Sequence, residues 1–91
     1  MIIRILNEGQ YQLDGNSLSN LGNLDHQLTE AIARNNDSEF RQTFGQMLDT
    51  VRTGGQRLPD YTLAESDLIL PAPDTTLQEA QRLFSSHTGE A

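Results

Sequence analysis

Few residues in this 91-residue chain could do chemistry, and each has a simpler account beside it. His26 and Glu30 stand four apart, so on a helix they would share a face and could offer two ligands to a metal. That face lies opposite the leucines of the same segment, and two ligands do not close a site; a solvated polar face is the simpler reading. Asp60, Glu65, Asp67 and Asp74 place four carboxylates around proline-containing loops, an oxygen-rich set that could attract calcium or magnesium. Their spacing fits no EF-hand loop, and the glycine of its sharp turn is missing. Asp74 also suits the start of a helix, and Ser66 and Asp67 suit local bonds to their own backbone. Asp25 falls at the edge of an apolar stripe, where burial could raise its pKa for acid–base work; an arginine or N–H partner is the commoner fate. His87 sits in a tail expected to fray, without the rigid neighbour that catalysis requires.

The missing residues exclude more. All six bases are arginine, and there is no lysine, cysteine or tryptophan. Schiff-base chemistry, P-loops, thiol nucleophiles, disulfides and cysteine-held metals are therefore out. No GxSxG, HExxH or glycine-rich phosphate loop is present. The expectation is no catalytic residue, no metal ligand set and no cofactor, with the partner-binding residues unknown.

Charge narrows the partners. Thirteen acids against six bases give −7. Nucleic acid, which needs a basic face, is disfavoured, and so is direct docking on anionic lipid. The acids are uneven: the stretch after Arg57 carries six against Arg82 alone, while Arg34, Arg41, Arg52 and Arg57 gather in the middle. No apolar run approaches the ~20 residues of a membrane span, and the opening run is short for a signal peptide. A soluble cytoplasmic protein is expected. Apolar residues make up 35%, and adding the seven glycines still leaves the chain below the roughly 45–50% usual for globular domains, so the core should be small.

Periodicity supplies the elements. Residues 2–6 and 10–14 alternate as two strands, with Ile3, Ile5, Tyr11 and Leu13 inward, joined through Asn7, Glu8 and a left-handed Gly9. Asn16 or Ser17 is placed to cap a helix striped by Leu18, Leu21, Leu24, Leu28 and Ile32. Asn35 and Asn36 break it. Asp37 is placed to cap a second helix striped by Phe40, Phe44, Met47, Leu48 and Val51 and ended by Gly54 and Gly55. So short a link predicts an antiparallel helical hairpin. Gly22 and Gly45 lie inside these helices, where glycine costs ~1 kcal/mol against alanine. Residues 56–66 read as an ordered loop with Pro59 and Tyr61, and Leu68, Ile69 and Leu70 as a third strand. Thr76 and Glu79 form a capping box for a last helix whose buried face is Leu77, Ala80, Leu83 and Phe84. The expectation is one α+β domain over residues 1–91, ordered β-β-α-α-β-α, with a three-stranded sheet and a frayed end over residues 86–91.

The opening MIIRILNEGQYQL, the stretch from Glu39, Phe40 and Arg41 through Val51, Arg52 and Gly55 to Leu58 and Pro59, and above all ESDLILPAPDTTLQEAQRLF (Glu65 to Phe84) resemble the PspA-associated PspAA family. The resemblance covers nearly the whole chain. It implies a non-enzymatic adaptor or regulator of phage-shock protein A, a long helical membrane-stress protein, with the membrane reached only through that partner. It brings no binding residues. Two readings from other classes stand beside it: a homodimeric module pairing through its hairpin edge, and a small metal-dependent or hydrolytic enzyme using Asp60, Asp67 or Asp74 with His26.

Overall fold

A computed structural model describes residues 1–60 and 64–88, with side chains through Arg82. Seven elements follow in the order β1 (Ile2–Ile5), β2 (Gly9–Leu13), α1 (Gly15–Ala33), α2 (Asp37–Gly54), β3 (Gly55–Arg57), β4 (Leu68–Leu70) and α3 (Leu77–Thr88). Among the described residues the sheet has four strands, not three, in the order β3-β2-β1-β4. β1 pairs antiparallel with β2 and parallel with β4, and β2 pairs antiparallel with β3. The added strand is β3, in the stretch expected to be loop. Gly55, Gln56 and Arg57 carry no apolar alternation; they are strand because α2 delivers them beside β2, with Tyr11 opposite Arg57 and Leu13 opposite Gly55. Tyr61 lies outside the described residues.

The core forms between one face of the sheet and the helices. Ile3, Ile5, Tyr11 and Leu13 face Leu21, Leu28, Ala31 and Ile32 of α1 and Phe40, Phe44, Met47, Leu48 and Val51 of α2. Leu18 and Leu24 pack at its margin, and Leu77 and Ala80 bring α3 onto it. Leu83, Phe84 and His87 lie outside the described side chains; the backbone of α3 continues to Thr88, past the Ser85 where fraying is expected.

The helix ends differ in detail from the sequence reading. α1 is capped by Asp14, whose carboxylate accepts the Ser17 N–H at 2.8 Å; Asn16 and Ser17 are already helical. Asn35 takes the left-handed conformation (φ 56°). Its N–H returns to the Ile32 carbonyl and that of Asn36 to the Ala31 carbonyl, closing a Schellman turn. Asn36, rather than Asp37, then caps α2 by accepting the Glu39 N–H at 3.1 Å, while its amide donates to the Glu39 carboxylate. Two residues thus end one helix and start the next. In the β1–β2 turn the left-handed residue with an ordinary turn geometry is Asn7 (φ 65°), while Gly9 opens β2 at φ 156°. Thr76 and Glu79 form the expected capping box: the Thr76 hydroxyl accepts the Glu79 N–H, and the Glu79 carboxylate accepts the Thr76 N–H.

Gly54 and Gly55 are where the backbone needs space. A Cβ on Gly54 would lie 2.3 Å from Ser17 Oγ, and one on Gly55 would lie 2.6 Å from the Val51 carbonyl oxygen. These contacts let α2 end against the start of α1 and pass directly into β3.

Candidate functional site

A dense polar constellation lies at the β1–β2 turn. Glu8 receives Arg52 in a two-pronged ion pair, with Nε donating to Oε2 at 2.9 Å and Nη2 donating to Oε1. The Tyr11 hydroxyl donates to the same carboxylate at 2.7 Å. Arg57 Nη2 donates to the Glu8 backbone carbonyl at 2.9 Å. The Arg52 hydrogen bonds, helped by Tyr11, outweigh partial burial and hold the Glu8 carboxyl down at about 2. Burial, then the bond to an anion, pushes Tyr11 up. A carboxylate fixed in its charged form, with both oxygens occupied, is no proton carrier at neutral pH. The cluster ties the turn to the end of α2 and to β3; its work is mechanical. The sequence reading missed it because Glu8 meets Arg52 and Arg57 only once β3 is laid beside β2.

The residues singled out in the sequence are scattered. His26 Nε2 and Glu30 Oε1 lie 3.5 Å apart on an exposed face of α1, and Glu30 also meets Arg34 at 3.7 Å. Asp60 lies 3.6 Å from Arg57. The Asp67 carboxylate accepts the Ile2 N–H at 2.8 Å, while its own N–H donates to the Ile2 carbonyl, seating β4 on β1. Glu65 and Asp74 are exposed on the connections flanking β4. Among the described residues no three histidine or acidic groups converge as a metal site. Asp60, Asp67 and His26 have separate neighbours, so the structure does not assemble them as a hydrolytic centre. Gln10, which alternates away from the inward Tyr11 and Leu13, is nevertheless buried; its amide nitrogen donates to the Ala64 carbonyl at 2.9 Å and to Ser66 Oγ at 2.8 Å, pinning the approach to β4 across the sheet.

Asp25 is exposed at the rim of an apolar groove of about 310 Å³. Leu18, Leu21 and Gly22 of α1 form one wall, Met1 and Leu68 the other, and Met47 the floor. Leu68 sits opposite Ile3 and so faces the helices, yet it stays 38% exposed.

Across residues 1–90 the sequence matches the family described as PspA-Associated protein. The chain belongs to the PspAA family. Neither a curated protein nor a solved structure matches it. In this PspAA chain the run from Glu65 to Phe84 that carries the family likeness is occupied in building the fold, as far as its side chains are described. Asp67 seats β4, Leu70 and Leu77 enter the core, and Thr76 with Glu79 starts α3. Among the described residues no helix is long and apolar enough to cross a membrane.

Proposed function

We propose that this PspAA-family chain is a non-enzymatic adaptor that binds a PspA-type helical membrane-stress protein and meets the membrane only through it, on the cytoplasmic side. The observation that carries the reading is the match along residues 1–90 to a family described by an association rather than by a reaction. Charge supplies the recognition chemistry. Arg34, Arg41, Arg52 and Arg57 each lie against an acid of the same chain. Beside these pairs the chain carries an acidic surplus, with a net charge of −7, so the partner's basic segments are the ones it attracts. The test is co-purification with a PspA-type protein from the same source, at about 50 and 500 mM salt, with mass read by light scattering. A complex of defined mass that weakens at the higher salt supports the adaptor. No complex, with the chain alone as a stable dimer, overturns it in favour of self-assembly.

A further inference from the structure

Resting on the reading of the chain as an interaction module, we infer that the groove between α1 and the β4 edge is its docking slot, and that the occupant is a basic amphipathic helix of another protein. The walls and floor are apolar, and the volume of about 310 Å³ takes anchor side chains rather than a polar ligand. Met1 and Met47 line it, and methionines adapt their shape to an incoming side chain.

Shape selects a helix. Leu18, Gly22 and Asp25 follow one another along a single face of α1 over two turns, about 10 Å. That is the span over which a second helix places its i, i+3 or i+4, and i+7 anchors. A strand is the poorer fit, since β4 offers only three residues before Pro71. Gly22 sits at the centre of the slot. A Cβ there meets nothing within 4 Å, so no neighbour inside the chain calls for the missing side chain. The helix nevertheless carries a residue that weakens it by ~1 kcal/mol, at the one place where a second backbone would come closest.

Charge selects the sign. Among the described residues the Asp25 carboxylate makes no ion pair, unlike the acids that hold Arg34, Arg41, Arg52 and Arg57. A lysine or arginine one turn from an apolar anchor would meet it at the rim. A second copy of this chain is opposed by −7 facing −7, and a two-fold axis along the groove would set Asp25 against Asp25.

The test uses the full chain and two synthetic helical peptides with the same leucine face, one carrying lysines and the other glutamates. Titration followed by amide NMR should move residues 18–25, Met47 and Leu68 with the lysine peptide, and the glutamate peptide should bind at least about tenfold more weakly at low salt. Gly22→Leu fills the slot from open space, so it should keep or raise the melting temperature while weakening the lysine peptide about tenfold or more. Gly45→Ala, at an open helical glycine of α2 outside the groove, should leave binding unchanged. Asp25→Asn should weaken binding about two- to fivefold, an effect that fades with salt. Shifts away from the groove, equal binding of both peptides, indifference to Gly22→Leu, or groove shifts that appear on concentrating the chain alone would each overturn the inference. The PspA-type protein separates the two readings. Equal capture by wild type and Gly22→Leu removes the groove and leaves the adaptor. Failure to bind wild type, beside a lysine peptide that binds in the slot, removes the adaptor and leaves the groove.

Discussion

Replacing Glu8 by glutamine removes one charge from the turn and leaves its shape. The ordinary carboxyl value of 4.5 falls to about 2 in the folded chain. A gap of that size carries about 3 kcal/mol of pH-dependent stability when nothing screens it. Arg52 is 36% exposed and Glu8 20%, so water reaches the pair and the share left is about 1–2 kcal/mol. The sign follows from the depressed value: the unfolded chain takes up the proton first, so the contribution is whole above about 4.5 and drains away as pH falls towards about 2. Urea unfolding of wild type and Glu8→Gln, followed by circular dichroism at neutral pH, near 4 and near 2.5, reads the difference directly. Wild type should be more stable by about 1–2 kcal/mol at neutral pH, with the gap shrinking through the acid range. A gap that stays constant with pH, or is absent at neutral pH, would refute the assignment of Glu8 and Arg52 as a charge-dependent clamp.

Other substitutions test the remaining joints of the fold. Gly55→Ala drives a Cβ to 2.6 Å from the Val51 carbonyl oxygen and should cost about 1–3 kcal/mol in urea unfolding, because backbone must move to relieve it. Asn36→Ala removes the cap of α2 and should lower stability by about 1 kcal/mol, whereas Asp37→Ala, outside the cap, should cost less. Gln10→Ala strands the Ala64 carbonyl and should cost about 1–3 kcal/mol, read as a lowered urea midpoint.

Much of this architecture is legible in the sequence because it is local. The leucine stripe of α1, the phenylalanine and methionine stripe of α2, the β1–β2 alternation and the Thr76–Glu79 box each announce themselves within a few residues. What the sequence hides is what distance creates. Gln56 and Arg57 become a strand only through β2, and Glu8 becomes a clamp only through Arg52 and Arg57. The caps differ from the sequence expectation by one to three residues for a common cause: Asp14, Asn16, Ser17, Asn36 and Asp37 all have acceptor side chains, and only backbone geometry decides which stands at the boundary. The groove is visible in sequence only as Asp25 at a stripe edge and an unexplained Gly22; Leu68 and Met1 complete it from opposite ends of the chain.

The parallel seating of β4 on β1 sets an order of assembly. The β1–β2 turn and the α1–α2 pair close over short separations, but Ile2 waits for Asp67, 65 residues later. Contacts of that reach form late, since their loop-closure entropy is met before they return anything. During synthesis, β1 is therefore an open sheet edge until β4 emerges, with the Ile2 carbonyl and the Leu6 N–H still unclaimed. Open edges pair with whatever strand is nearest. The three residues of β4 act as a guard strand, and a chain halted after Arg57 would carry its stickiest surface uncovered.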